Sequence, residues 1–212
     1  MIKVVEFFSR RADLAPEAFL AHWRDRHTQV VLGIAGLRRY VQNPVIGLAG
    51  VPAWEFDGVV EVWFDSLQVM RDNGRSDYWP VVVEDEKRFI DRDSRQLLLA
   101  ESNEPPAIVP GPKLMLLVAK APEVDVTQFQ HVLGEAVGLL GAAQGLRDLD
   151  CDLPIPSSYE KPRAIAGDAV LSLRFASWRD AQAAVAEGIF EPVRRISARL
   201  RCLAVAERVV RQ

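Results

Sequence analysis

The sequence predicts an α+β fold in which two ferredoxin-like halves pack sheet to sheet within one chain, as an internal pseudo-dimer resembling an α+β barrel. Three observations predict it. The order β-α-β-β-α-β can be followed through the first half and again through the second. The apolar spacing of the first helix, from Phe19 to Ile34, recurs about 110 residues later, from Phe129 to Leu140. A proline-rich segment separates the two copies.

The first half begins with a strand at residues 2–8, which are rich in Val and Phe. A helix is predicted from Pro16, because proline suits the first helical turn, to about Ile34, and Gly36 ends it. The remaining elements are predicted as strands 37–46 and 56–64, a short helix capped by Asp65 and Ser66 and ended by Asn73-Gly74, an ambiguous segment 78–90 that could hold a helical turn, and a strand 96–101.

The second half follows the same order. Gly145-Leu-Arg repeats Gly36-Leu-Arg, and Phe175-Ala-Ser repeats Phe64-Asp-Ser. Its elements are predicted as strand 113–120, a helix capped by Asp125 and running to about Gln144, strand 168–176, a helix from Trp178 to Glu187, and strand 200–209.

The chain is expected to divide into residues 1–101, a linker at 102–112 and residues 113–212. Four prolines lie between Glu101 and Pro112, and proline fixes φ and removes amide donors, so this segment reads as a stiff connection. Each half would present one bare sheet face. The simplest way to bury both faces is to pack one against the other.

Composition limits the functional classes. Hydrophobic residues make up 49% and charged residues 26%, with a net charge of -3, so nucleic acid and anionic membranes are poor partners. No apolar run approaches the ~20 residues needed to span a bilayer. Two cysteines make no disulfide framework, and the opening MIKVVEFF enters a strand pattern directly, so no signal peptide and a cytoplasmic location are expected.

His27 is the first candidate for chemistry. It lies in the apolar stripe of the first helix, between Trp23 and Val30, whereas Val137 holds the corresponding place in the second half. An imidazole exchanges protons near neutral pH, and an aliphatic residue evidently meets the packing need, which favours an acid–base role. The alternative is a core histidine hydrogen-bonded to a backbone carbonyl.

Other chemistries find little support. His22 and His27 are five residues apart, which places them ~140° apart on an α-helix, so no metal site is predicted there. The sequence has no GxSxG, P-loop, GxGxxG, CxxC or HExxH motif. The charged run from Glu84 to Arg88 is predicted to be a solvated helix face.

The first half is also rich in aromatic residues, which could be core filler or the wall of a flat apolar pocket. The candidates for substrate binding are Trp23, Trp54, Phe56, Trp63 and Trp79. Tyr40 and Glu61 are candidates for a second proton-transfer group, on side-chain chemistry alone. Alternation in the strand puts Glu61 and Trp63 on one face, and Ser172 is the counterpart of Glu61 in the second half.

These residues resemble the EthD family, named from an ethyl tert-butyl ether degradation cluster. The matching stretches are Ile2-Lys-Val-Val, Pro16-Glu-Ala-Phe leading to Trp23 and His27, Gly36-Leu-Arg-Arg-Tyr-Val-Gln-Asn, and Asp57-Gly-Val-Val-Glu-Val-Trp-Phe-Asp-Ser-Leu. They span most of residues 1–101. The second half resembles a diverged copy that lacks the Trp and His of the first helix.

The resemblance implies a dimeric α+β barrel, a pocket between the first helix and the sheet, and a functional role for His27. Fold does not fix the reaction. The sequence-based hypothesis is a small cofactor-free enzyme, with neither metal nor other cofactor, that dehydrates, isomerises or cyclises an apolar small molecule. A cofactor-free monooxygenase and a non-catalytic accessory protein of a degradation pathway are the alternatives. The chain could be a monomer with an internal pseudo-dimer, or a homodimer.

Overall fold

The computed structural model describes residues 1–105, 107–160 and 166–211. Pro106 of the predicted linker, and residues 161–165 and Gln212 of the predicted second half, lie outside the described residues. The first half contains β1 (Ile2–Arg10), α1 (Pro16–Ala21), a π-helical turn (His22–His27), α2 (Thr28–Leu32), β2 (Leu37–Ile46), β3 (Gly58–Phe64), α3 (Leu67–Asn73), α4 (Trp79–Glu86) and β4 (Ile90–Glu101).

The second half repeats this order, as predicted. It contains β5 (Lys113–Lys120), α5 (Val126–Leu140), β6 (Leu146–Asp152), a 3-10 turn (Pro156–Glu160), β7 (Ala169–Phe175), α6 (Trp178–Ala186), α7 (Glu191–Arg194), β8 (Ser197–Val205) and β9 (Arg208–Arg211). The repeat extends to the caps. Ser66 accepts a hydrogen bond from the N–H of Val69 at the start of α3, and Ser177 accepts one from Asp180 at the start of α6.

Each half forms an antiparallel ferredoxin-like sheet, with strand order β4-β1-β3-β2 in the first and β8-β5-β7-β6 in the second. The halves join where β2 pairs with β8, at Val45–Val205 and Ile46–Ala204. On the far side a bridge links Ala100 to Pro154. The two sheets therefore close into the predicted α+β barrel, with both halves supplied by one polypeptide.

Three layers of side chains hold the barrel. The interior core joins both halves and consists of Val5, Phe7, Phe56, Val59, Leu98, Ala100, Met115, Leu117, Ala166, Val170, Leu203 and Val205. Outside the barrel, the helices of each half cover the opposite face of their own sheet. Alternation along the strands thus separates an inner, barrel-facing side from an outer, helix-facing side. This separation decides which site residues can meet.

Some predicted boundaries were wrong. The helix predicted to reach Gln144 ends at Leu140, where Gly141 follows and the turn tightens. The helical turn considered possible in the ambiguous segment 78–90 is confirmed, since the segment contains α4, with proline in its first turn. The strand predicted at 200–209 is two strands, β8 and β9, which pair with different partners. The division into residues 1–101, 102–112 and 113–212 stays a prediction.

The last strand crosses to the first half. β9 pairs with β2, with Gln42 opposite Arg208 and Val41 opposite Val209. The side chain of Arg208 donates hydrogen bonds to the carbonyl oxygen of Arg24, at 3.0 Å, and to Oε1 of Gln42, at 2.8 Å. The C-terminal strand of one half is therefore bonded to the first helical segment of the other. Among the described residues, no helix is long and apolar enough to cross a membrane.

Candidate functional site

The centre of the candidate site is one carboxylate shared by two histidines. Nδ1 of His27 lies 2.8 Å from Oδ2 of Asp85, and Nε2 of His22 lies 3.1 Å from Oδ1 of the same side chain. The expectation that the two histidines diverge around the helix was wrong, because residues 22–27 form a π-helical turn. Hydrogen bonds from i to i+5 bring residues five apart to the same side of the helix.

Side-chain donors stabilise this wider turn. Nε2 of Gln42 donates to the carbonyl oxygen of Trp23 at 2.9 Å, and Arg208 donates to that of Arg24. Thr28 Oγ1 lies 3.4 Å from the same Trp23 oxygen. Inserting donors into the helical ladder is an established cause of such irregularities. The geometry of the two histidines therefore depends on β2 and on the C-terminal strand.

Phe89 forms the apolar wall of the site. Its ring stacks on His22 with centroids 4.9 Å apart, and the His27 ring lies 4.8 Å away at a tilt. Phe89 is 1% exposed and His27 is 7% exposed. Both imidazoles therefore face an apolar ring on one side and the Asp85 carboxylate on another.

The charged run from Glu84 to Arg88 was predicted to be a solvated helix face, and this prediction is wrong for part of the run. Asp85 and Glu86 are buried, while Glu84 and Lys87 form an exposed ion pair. The spacing Val82, Asp85, Glu86 and Phe89 follows the buried side of α4 and its exit. That helical spacing is the sequence feature that could have identified Asp85.

The surroundings of His27 favour a neutral imidazole with a defined tautomer. Burial lowers the pKa of His27 from its ordinary value of 6.5, and the hydrogen bond to Asp85 offsets only part of that effect. Because a carboxylate only accepts, Nδ1 carries the proton and Nε2 keeps a lone pair. In the part of the chain that the structure describes, Nε2 makes no hydrogen bond. His27 can therefore act as a base through Nε2.

We expect NMR titration of His27 to give a pKa below 6.5. The expected cause is burial against Phe89, so Phe89→Ala should raise the value by readmitting water. The folded protein then binds fewer protons at this site than the unfolded chain, and stability rises with pH between the folded-state pKa and about 6.5. A measured pKa at or above 6.5 would contradict this description of the site.

Tyr40 and Trp23 lie on the same helix-facing side, in a hydrogen-bond network that reaches the π-helical turn through Gln42 but includes neither histidine side chain. Nε1 of Trp23 donates to the Tyr40 hydroxyl at 3.1 Å, and Nε2 of Gln42 donates to the same oxygen at 2.8 Å. Burial raises the pKa of Tyr40 well above its ordinary value of 10, and Gln42 offsets only part of that rise. By accepting these two hydrogen bonds, the Tyr40 hydroxyl fixes the positions of the Trp23 and Gln42 side chains.

Glu61 lies on the opposite, barrel-facing side of the sheet. Its carboxylate lies 2.9 Å from Nζ of Lys3 and is also bonded to Nζ of Lys113, which reaches it from the second half. Burial would raise the pKa of Glu61, but Lys113 and Lys3 hold it far below its usual range. The ion network continues through Asp152, Glu207 and Arg174.

The predicted aromatic residues are likewise divided between the two sides. Trp23 is buried on the helix-facing side, and Trp79 is half-buried at the start of α4. Trp63 lies on the barrel-facing side with Nζ of Lys3 4.9 Å from its ring, and Phe56 and Trp54 lie at the interior core. The five aromatic candidates therefore do not form one pocket. His27 and Glu61 are also apart, because they lie on opposite sides of the sheet.

The space between the first helix and the sheet is filled by buried side chains, including Phe8, Phe19 and Trp23. An open cleft of about 440 Å³ lies instead between α2 and α4. It is lined by Val30, Pro80, Val81, Glu84, Asp85 and Arg88. Asp85 thus contacts His27 and also forms part of the cleft wall.

Within the described ranges, no group of three or more His, Cys, Asp or Glu side chains is arranged to hold a metal ion. Burial raises the pKa of the Cys202 thiol to about 12. Cys151 is exposed at the surface, but partial loss of solvent around its sulfur and the carboxylates of Asp152 and Asp150 raise its pKa to about 12 as well. Neither thiol is therefore activated for nucleophilic chemistry.

Residues 11–93 match the EthD domain family. This part of the chain is similar to EthD domains. The matched residues include the π-helical turn, His27, Asp85 and Phe89, so the two histidines and the carboxylate they share lie within the matched part of the chain. No curated protein matches the chain significantly.

Solved structures share the whole fold at low identity. An anthrone oxidase-like protein matches with a TM-score of 0.62 and 13% identity, over 100% of this chain and 94% of its own. A presumed monooxygenase from Fusobacterium nucleatum matches with a TM-score of 0.61 and 7% identity, over 98% and 93%. A variant of the chlorite dismutase from Candidatus Nitrospira defluvii matches with a TM-score of 0.59 and 9% identity, over 97% of this chain and 91% of its own. The barrel formed by the two halves is therefore a fold shared with these proteins.

Proposed function

We propose that the chain is a small cofactor-free enzyme that uses His27 for proton transfer on an apolar, aromatic or carbonyl-containing small molecule. The observation that carries the proposal is the hydrogen bond between Nδ1 of the buried His27 and Asp85. It assigns the basic lone pair to Nε2, and burial keeps that nitrogen unprotonated near neutral pH. A neutral, oriented imidazole is suited to be a general base.

The reactions that fit this base are dehydration, isomerisation and cyclisation. Each can begin with removal of a proton from carbon next to a carbonyl group, and Nε2 receives that proton. The resulting imidazolium is stabilised by the Asp85 carboxylate. It can return the proton to a leaving hydroxyl, to another carbon or to a new oxygen centre, so no further reactant is needed.

Substrate would approach His27 from the cleft between α2 and α4. Val30, Pro80 and Val81 supply apolar wall, and Arg88 supplies a positive charge at the rim. In this proposal Trp23 and Tyr40 shape the helix beneath His27, and Trp79 stands at the start of α4, one of the two helices that form the cleft. Glu61 is assigned to the barrel's ion network rather than to proton transfer, because it lies across the sheet.

A cofactor-free monooxygenase is the second candidate. The same base could deprotonate an electron-rich phenol or enol, whose anion would then react with oxygen. The names of two similar structures, an anthrone oxidase-like protein and a presumed monooxygenase, favour keeping this candidate. Oxygen consumption matched to product formation would distinguish it from dehydration or isomerisation.

The test is a thermal-shift screen of aromatic, quinone, lactone and enone compounds against the wild type and His27→Val. Valine already occupies the corresponding position, Val137, in the second half, so the variant should fold. His131→Val is the matched control, because this histidine is exposed on α5. Compounds that stabilise the protein are then incubated with it and followed by mass spectrometry with an oxygen electrode.

We expect a compound that raises the melting temperature of the wild type and of His131→Val, and that is converted by both. Its conversion by His27→Val should fall about 100-fold or more, the usual contribution of a general base. Loss of water or a rearranged product of equal mass would support the first candidate, and gain of one oxygen atom the second. Equal conversion by His27→Val would refute the acid–base role, and tight binding without conversion would indicate a binding protein.

A further inference from the structure

Arg201 lies on the barrel-facing side of the second half, whereas the two histidines lie on the helix-facing side of the first half. It is on β8, opposite Leu117 of β5. Because it is two residues before the inward-facing Leu203, it lies on the same face of the strand, and it is only 8% exposed. Its guanidinium carbon lies 5.5 Å from the ring centre of Trp54 and 5.3 Å from that of Phe56. An arginine of the second half is therefore packed against two aromatic rings of the first.

The hydrogen-bond donors of this cluster are not all used. One nitrogen of Arg201, Nη2, is paired with the carboxylate of Glu55, which is itself partly exposed. Nε and Nη1 of Arg201 are buried without a hydrogen-bond acceptor among the described residues, and so is Nε1 of Trp54. Three buried donor atoms of this cluster therefore lack an acceptor, while the fourth, Nη2 of Arg201, is paired with a partly exposed anion.

Such an arrangement is costly in a protein interior. A buried donor without an acceptor has lost its hydrogen bonds to water and gained none in return, and the cost is greater when the donor is charged. Burial and repulsion by Arg199 lower the pKa of Arg201, and Glu55 counteracts only part of this effect. The cluster consists of donors and aromatic faces, so an acceptor attached to a flat ring would complement it.

We propose that Arg201, with Trp54 and Phe56, forms a second ligand site that binds the carboxylate of a small aromatic acid. The carboxylate accepts from Arg201 and from the indole N–H of Trp54, and the attached ring packs against Trp54 and Phe56. The Glu55 carboxylate occupies one edge of the same guanidinium and competes with the ligand. Glu55 lies between β2 and β3, so the ligand enters by displacing this connection.

The test is a titration of the full chain with benzoate, in which binding is measured by calorimetry and by tryptophan fluorescence. We expect saturable binding to the wild type. Arg201→Gln should weaken it at least about tenfold, because charged hydrogen bonds are lost. Glu55→Gln should tighten it severalfold, because the competing anion is removed. Trp54→Phe should remove most of the fluorescence change, since it removes the reporting indole.

Two controls keep the result interpretable. His27→Val should bind benzoate as the wild type does, which separates this site from the proposed base. Melting temperatures establish whether Arg201→Gln is folded. For Glu55→Gln we expect a gain in affinity for benzoate, which a folding defect cannot produce. The proposal is overturned if neither the wild type nor Glu55→Gln binds benzoate saturably, or if folded Arg201→Gln binds it with unchanged affinity.

Discussion

Replacing Glu61 by glutamine should lower the free energy of unfolding by about 3–5 kcal/mol, the usual cost of removing one partner from a buried ion pair. The carboxylate of Glu61 neutralises Lys3 of the first half and Lys113 of the second, and all three side chains are almost completely buried. Glutamine has a similar shape but no charge, so two buried ammonium groups would lose their central partner. Urea unfolding of both proteins at neutral pH measures the difference.

The same substitution should change the acid sensitivity of the protein. The pKa of Glu61 is lower in the folded protein than in the unfolded chain, where it is about 4.3. Its contribution to stability is therefore complete above that value and is lost as the pH falls toward the folded-state pKa. Between about pH 5 and pH 3 the wild type should lose stability in step with that titration, and Glu61→Gln should lose less.

Asp65→Asn is the matched control. Asp65 forms an ion pair with Arg38 in the same half, but both side chains are exposed. Exposed pairs contribute about 0–1 kcal/mol, so this variant should remain close to the wild type. Equal, small losses for Glu61→Gln and Asp65→Asn would show that the ion network does not hold the two halves together.

This network shows how far the sequence could be interpreted. Alternation placed Glu61 and Trp63 on one face, and the repeat identified Ser172 as the counterpart of Glu61. Lys3 and Lys113 likewise stand at the second position of β1 and the first position of β5. Nothing in one strand's pattern tells which face is turned into the barrel, because both faces of a covered sheet are apolar. The assignment of Glu61 to proton transfer stayed a hypothesis for that reason.

The first helix shows a different limit. Its existence, its apolar stripe and the position of His27 were predictable from residue spacing. The π-helical turn was not, because the side chains that donate to its carbonyl groups, Gln42 and Arg208, come from β2 and from the last strand. The spacing of residues within the helix cannot reveal donors that lie so far away in the sequence. Asp85 was missed because a charged run is usually solvated, and its burial follows from Val82 and Phe89 on the same face.

Asp85→Asn should show whether that carboxylate positions His27. An amide can donate to Nδ1, which would leave the proton on Nε2 and remove the lone pair that the proposed base requires. The loss of negative charge should also lower the pKa of His27 further, since Asp85 now raises it. We expect conversion of a substrate found in the screen to fall about 10- to 100-fold, as for other residues that orient a functional histidine.

Two readouts distinguish positioning from a general structural effect. The nitrogen chemical shifts of His27 report its tautomer directly and should change in Asp85→Asn. The pH–rate profile should lose activity at lower pH than in the wild type, because the base titrates with a lower pKa. Glu17→Gln removes a carboxylate from an exposed position on α1, outside the cleft lining, and should alter neither. If Asp85→Asn keeps the wild-type tautomer and profile, the carboxylate only packs against His27, and the orientation of the base must come from the π-helical turn and Phe89.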